Sequence, residues 1–110
     1  MADSADCLLV MTTCDDAAVA ERIAHRLVER HLAACVNVLP AARSVYRWQG
    51  RVESADEYTL LIKTQASRFE ALQAALVEAH PYELPEVLAV PIVTGSEEYL
   101  QWLVTSTQLP

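Results

Sequence analysis

The dipeptide Gln49-Gly50 separates two strand-like segments, and it limits the fold of this chain more than any other feature. Glycine tolerates a positive φ angle, so the dipeptide predicts a tight hairpin turn. Residues 44–48 before it and residues 52–56 and 58–63 after it are predicted as strands, the last of them most strongly. A bare two-stranded ribbon is only marginally stable in water. The far end of this hairpin therefore needs another surface to pack against.

Two strands and a helix are predicted before the hairpin. Residues 7–11 form a continuous apolar run, which indicates a buried strand followed by a loop at residues 12–16. Asp15 or Asp16 is expected to cap a helix whose apolar residues recur at helical spacing between residues 19 and 28. Residues 34–39 are predicted as a second strand, which Pro40 stops or bends.

Capping and breaking signals define the rest of the chain. Ser67 and Glu70 match a capping box at the start of a second helix, and His80-Pro81 predicts where that helix ends. Residues 87–93 are predicted as a fourth strand with Pro91 at an edge or an end, because proline has no amide hydrogen to donate. Ser96 is expected to cap a last helix.

The order of these elements is βαββαβ with an extra C-terminal helix, which predicts an α+β fold of the ferredoxin-like type. Four antiparallel strands would carry two helices on one face, and the last helix or another subunit would cover the other face. A length of 110 residues predicts a single domain spanning 1–110. Residues 1–6 are polar and acidic, unlike a signal peptide, and are expected to be disordered.

Composition narrows the classes of partner and the location. The net charge is −7, whereas nucleic-acid-binding domains usually carry a basic face, so no nucleic-acid partner is expected. The apolar runs are too short to cross a bilayer, so no membrane partner is expected either. Three cysteines without a CxxC pair predict reduced thiols and a cytoplasmic location.

Five short motifs follow one another along the chain. They are CVNVLP at 35–40, YRWQG at 46–50, Glu57 followed by LIKT at 61–64, HPYELPE at 80–86 and YLQW at 99–102. In this order they resemble the CutA family, which is associated with tolerance of divalent cations. The resemblance covers nearly the whole chain, from about residue 7 to residue 104.

The resemblance implies a homotrimer that is similar in architecture to the PII signalling proteins, with long hairpins that pair with neighbouring subunits. It implies copper or another divalent cation as ligand, with Cys35 and His80 at the positions discussed as metal ligands. The family proposal also uses a cysteine of the first strand. Cys7 opens that strand and Cys14 follows it here, and neither is assigned to the role.

Simpler roles exist for the same residues. Cys35 also fits a small buried apolar residue, and His80 fits a capping or hydrogen-bonding role. Eight further residues are predicted to line an inter-subunit cleft, for ligand binding or for assembly alone: Asn37, Tyr46, Trp48, Glu57, Lys63, Tyr82, Glu83 and Glu86.

Three functions are therefore compatible with the sequence. The first is a homotrimeric, non-enzymatic tolerance protein that binds copper or another divalent cation near the cleft. The second is a PII-like scaffold that binds a small metabolite or a partner protein. The third, least supported, is an enzyme acting through Cys35, His80 or Lys63, because no established catalytic motif accompanies these residues.

Overall fold

Strands and helices follow one another in the predicted order in the computed structural model, which describes residues 6–109. A 3₁₀ turn, Ala66–Arg68, precedes the second helix. The elements are β1 (Cys7–Cys14), α1 (Ala17–Glu29), β2 (Cys35–Trp48), β3 (Arg51–Gln65), α2 (Phe69–Ala79), β4 (Leu88–Pro91) and α3 (Glu97–Ser106).

One antiparallel sheet contains all four strands, in the order β2-β3-β1-β4. The split arrangement, in which the first and third strands are central, is that of the ferredoxin-like fold, so the predicted fold class is confirmed. β4 is a short edge strand that ends at Pro91, as the missing amide hydrogen of proline requires. Within residues 6–109, no helix combines the length and the apolar character needed to cross a membrane.

The two faces of the sheet are covered differently. α1 and α2 pack against one face and enclose the main core, in which Ile23, Leu27, Leu72 and Leu76 contact Val10, Leu60 and Ile62 of the strands. On the other face, α3 buries Leu100 and Leu103 against Cys7 and Ala34 at one end only. No helix formed by residues 6–109 covers the remainder of that second face.

The β2–β3 hairpin extends well beyond the other strands. Gln49 and Gly50 have φ angles of 50° and 80°, and two positive values match the type I′ turn that suits a two-residue hairpin loop. β1 ends opposite Tyr58, so residues 51–57 of β3 pair with β2 alone. The molecule measures 48 × 26 × 22 Å, and its radius of gyration is 14.5 Å. A chain of this length packed evenly would have a radius of about 13 Å.

A bulge interrupts β2 where Pro40 predicts a bend. Leu39 lies opposite Thr59 and Ala42 opposite Glu57, so β2 uses one residue more than β3 between these pairs. Ala41 has a φ angle of 65°, which is uncommon for a residue with a side chain. An extra residue on one strand reverses the alternation of side chains beyond it.

Two local predictions are wrong. Residues 12–14 are strand rather than loop, because they pair with residues 58–60 of β3. Ser67 does not cap α2: it lies inside the 3₁₀ turn, and Arg68, the residue before the helix, makes no side-chain capping hydrogen bond. A capping serine needs extended backbone outside the helix, and this turn does not provide it.

The other capping predictions are confirmed. The side chain of Asp16 accepts a hydrogen bond from the amide of Val19 at 3.0 Å, and that of Ser96 accepts one from Tyr99 at 3.1 Å. The predicted disorder of residues 1–6 falls, apart from the exposed Asp6, outside the described residues.

Candidate functional site

The sheet face opposite α1 and α2, called here the open face, is apolar and largely uncovered. By the alternation of each strand it carries residues 7, 9, 11 and 13 of β1, 35, 37 and 39 of β2, 59, 61, 63 and 65 of β3, and 88 and 90 of β4. Leu9, Met11 and Leu61 are half-buried. Leu39 is 42% exposed and Leu88 is 56% exposed. Adjoining apolar side chains of this kind mark an interaction surface.

A polar group interrupts this apolar surface on β2 and β3. Lys63 lies opposite Cys35 in the ladder, and its ammonium donates hydrogen bonds to Asn37 Oδ1 and, at 3.9 Å, to Cys35 Sγ. Lys63 and Cys35 are half-buried, and Asn37 is exposed. The three residues therefore form a compact cationic group on the open face, near the end that α3 covers.

A second polar group lies where β1 ends. The buried ring of His80 hydrogen-bonds through Nε2 to the carbonyl oxygen of Thr13 at 2.7 Å, and its Nδ1 accepts from the amide of Tyr82 at 3.1 Å. The carbonyl can only accept and the amide can only donate, so the ring is neutral with its proton on Nε2. The hydroxyl of Tyr82 donates to Glu57 Oε2 at 2.7 Å, and the Glu57 side chain is buried.

Burial shifts the pKa of two groups beside this network. The pKa of Tyr82 is raised well above its ordinary value, first by burial and then by the hydrogen bond to the Glu57 carboxylate. The pKa of the Cys14 thiol is also raised, chiefly by burial. A hydrogen bond to the backbone of Asp16 partly opposes that rise. Burial and the raised pKa both disfavour the thiolate form of Cys14.

Two aromatic residues near the hairpin turn, Tyr46 and Trp48, lie on the open face as well. Because the bulge reverses the alternation, Tyr46 and Trp48 share a face with Ala42 and Glu57, the face that also carries Lys63. Trp48 is 36% exposed, a large value for an indole ring. Glu83 and Glu86 are exposed on the segment before β4 and form no ion pair with any residue between 6 and 109.

The predicted site residues thus form separate groups within one chain. Cys35 lies opposite Lys63, which in turn lies opposite Leu9 of β1. His80 instead contacts Thr13, four residues further along β1, and four residues of a strand span about 13 Å. One ion cannot contact both residues in the same chain. His80 could coordinate a metal only by losing one of its two hydrogen bonds. In the part of the chain that the structure describes, no three His, Cys, Asp or Glu residues are grouped to hold a metal ion.

Two parts of the His80 group are not predicted from the sequence. Thr13, whose carbonyl binds the imidazole, and Cys14, which lies beside Glu57 and Tyr82, were assigned to a loop after a shorter β1. The pair Thr12-Thr13 predicts the start of a loop because threonine is polar. Threonine nevertheless suits a strand well, since its side chain is β-branched.

These observations define a class: ferredoxin-like α+β proteins with an overlong hairpin and a C-terminal helix on the second face of the sheet. Residues 8–106 match the family model of the CutA1 divalent ion tolerance protein, so the chain belongs to that family, as its motifs predict.

Individual relatives agree with this assignment. The chain is 44% identical over 101 residues to the divalent-cation tolerance protein CutA of Pectobacterium atrosepticum, and the match covers 92% of each protein. It is 46% identical over 99 residues to that of Thermus thermophilus, covering 90% of this chain and 96% of the relative. The crystal structure of CutA from Xylella fastidiosa superposes with a TM-score of 0.91 at 47% identity, covering 94% of this chain and 99% of that one.

Proposed function

We propose that this chain acts as a homotrimer in divalent-cation tolerance, and that its open face is the surface through which the subunits assemble. The observation that carries the proposal is the apolar character of that face. Leu39, Leu88 and Val90 are more than two-fifths exposed on it, and half-buried Leu9, Met11 and Leu61 adjoin them. Covering such side chains contributes about 25 cal/mol for each Å² of apolar surface removed from water.

The hairpin supports the same proposal. Its outer arms pair only with each other, and the bulge turns Tyr46 and Trp48 toward the open face. A ribbon of two strands gains stability when a third surface packs on it. A neighbouring subunit would supply that surface and also cover part of the unpaired edge of β2.

Charge substitutions test the assembly surface. Leu61→Lys places a charge on the open face and is expected to shift the chain toward the monomer in sedimentation velocity. Val77→Lys is the matched control, because Val77 is an exposed residue of α2 on the opposite side of the sheet. Equal oligomer populations in the two variants would contradict the proposed surface.

The cation itself, copper or another divalent ion, is proposed to bind near the cleft between subunits rather than within one chain. Of the two implied ligands, Cys35 has the accessible donor atom, since both ring nitrogens of His80 are already hydrogen-bonded. Thiolate selects soft ions such as Cu(I), and the exposed carboxylates of Glu83 and Glu86 would attract cations to the same assembly.

Calorimetry under reducing conditions tests the ligand. Copper affinity is expected to fall in Cys35→Ser and to change little in His80→Ala, which should instead lose thermal stability. Unchanged affinity in Cys35→Ser would contradict Cys35 as a ligand. A large loss of affinity in His80→Ala would show that the ring leaves Thr13 to bind the metal.

We also propose a cytoplasmic, non-enzymatic role. The free thiols of Cys14 and Cys35 suit a reducing compartment. Cys35 and His80 engage different partners, so they do not form a thiol–imidazole pair that could act as a nucleophile. Catalytic turnover that disappears when Cys35 is alkylated would contradict the non-enzymatic role.

A second candidate function, a PII-like scaffold that binds a small metabolite or a partner protein, is favoured by the Lys63 group. Hydrogen-bond donors in an apolar surface are typical of ligand sites, where a few polar groups fix orientation.

A further inference from the structure

Lys63 is a half-buried cation that pairs with no carboxylate in the described part of the chain. It lies on the open face between Leu9 of β1 and Cys35 of β2, so apolar surface surrounds its stem. Among residues 6–109, no carboxylate forms an ion pair with its ammonium. The chain contains 15 acidic residues against 8 lysines and arginines, so the lack of a carboxylate at this position is notable.

The groups that do contact Lys63 leave an excess of hydrogen-bond donors. The ammonium can only donate, so the oxygen of the Asn37 side chain faces it and the amide nitrogen points away. No residue in the described range accepts a hydrogen bond from that nitrogen. The Lys63 ammonium has three N–H bonds and uses two of them to donate to Asn37 and Cys35, so one N–H bond remains. The group therefore presents three free N–H bonds and a positive charge.

The nearest acidic residue on the same strand cannot supply the missing charge. Glu57 also lies on the open face, but it is six residues from Lys63 along β3, a separation of about 20 Å. Its carboxylate is already bound by the hydroxyl of Tyr82. The negative charge that pairs with Lys63 must therefore come from outside β3.

We propose that Lys63 and Asn37 bind an oxyanion, a carboxylate or a phosphate, on the open face. With a free small molecule as the source, this inference deepens the second candidate function and rests on it; with a second copy as the source, it rests on the proposed assembly. An oxyanion supplies both the negative charge and several acceptor lone pairs, and charge-assisted hydrogen bonds of this kind are the strong ones. If another subunit covers the face, the need for an anion beside Lys63 becomes stronger, because a buried charge needs a partner of opposite sign. The oxyanion comes from a free small molecule or from a carboxylate side chain of a second copy.

Calorimetry with inorganic phosphate and with succinate tests the free-ligand source. The wild-type chain is expected to bind at least one of them, and Lys63→Met is expected to weaken that binding by at least about tenfold. Lys63→Arg, which keeps the charge, should retain most of the affinity. Arg30→Met is the matched control, because Arg30 is an exposed cation that follows α1. Its effect should stay within about twofold, and melting curves verify that each variant is folded.

Assembly measurements test the second source. If a carboxylate of a second copy occupies the site, neither anion binds, and Lys63→Met weakens the oligomer at low salt more than Arg30→Met does.

The outcomes separate this inference from the proposed assembly. A monomer that binds phosphate through Lys63 would contradict the proposed trimer and support the oxyanion site. An oligomer that binds neither anion and is equally stable in Lys63→Met and Arg30→Met would overturn the oxyanion site alone.

Discussion

Asn37 and Trp48 lie on the same face of the sheet, although their positions in β2 differ by eleven, an odd number. In an uninterrupted strand, that separation would place the indole with Val36 and Val38, on the face covered by α1 and α2. The bulge at residues 40–41 supplies the extra residue that reverses the alternation. A single backbone irregularity therefore turns Tyr46 and Trp48 toward the open face.

The conformation of the bulge can be tested at Ala41. Its φ angle of 65° is left-handed, and a β-branched side chain fits that region poorly. Ala41→Val is expected to reduce the free energy of unfolding by about 1–2 kcal/mol. Ala41→Gly should be neutral or stabilising, and chemical denaturation of both variants provides the measurement. Equal destabilisation by valine and glycine would show that the left-handed backbone is not what limits this position.

Trp48 is predicted to contribute to assembly more than to the fold of the single chain. Trp48→Ala should lower the stability of the oligomer by up to about 3–5 kcal/mol, the loss expected for truncating a buried tryptophan. Val52→Ala is the control, because Val52 lies on the other face of the same hairpin and is 67% exposed. Sedimentation equilibrium gives the dissociation constants. Normal oligomers in Trp48→Ala would show that the ring stays exposed to water.

Tyr82 is predicted to make stability depend on alkaline pH. Its pKa is raised in the folded chain, so the folded state keeps the phenol proton where the unfolded state loses it, above about pH 10. The stabilising contribution is complete below that pH and is lost as pH rises toward the folded pKa. Denaturation at several alkaline pH values should show this decline in the wild type.

The matched variant for this prediction is Tyr82→Phe. It should remove the part of the pH dependence that is due to the phenol, and it should lower stability near neutral pH by about 1–3 kcal/mol, because Glu57 loses its hydrogen bond. Identical alkaline profiles in the two proteins would contradict the assignment.

The fold could be predicted from the sequence because its signals are local. Apolar spacing defines α1 and α2, Asp16 and Ser96 mark helix starts, and the Gln49-Gly50 turn fixes the hairpin. The failures are equally local. Ser67 matches a capping motif, but the preceding strand continues to Gln65 and leaves only a 3₁₀ turn for the entry into α2.

The candidate site was harder to predict, because its geometry depends on register. Pro40 signals a bend, but no residue type reveals how many residues the bulge inserts, and that number decides the face of Tyr46 and Trp48. Cys35 and His80 are also placed by long-range pairing, to Lys63 and to Thr13, which residue spacing cannot show.

The central claim is that the open face is the surface on which three copies of this chain assemble. Light scattering of the wild-type protein at micromolar concentration tests it most directly. The proposal predicts one species with a mass of three times 12.2 kDa. A monodisperse species of 12.2 kDa would contradict it.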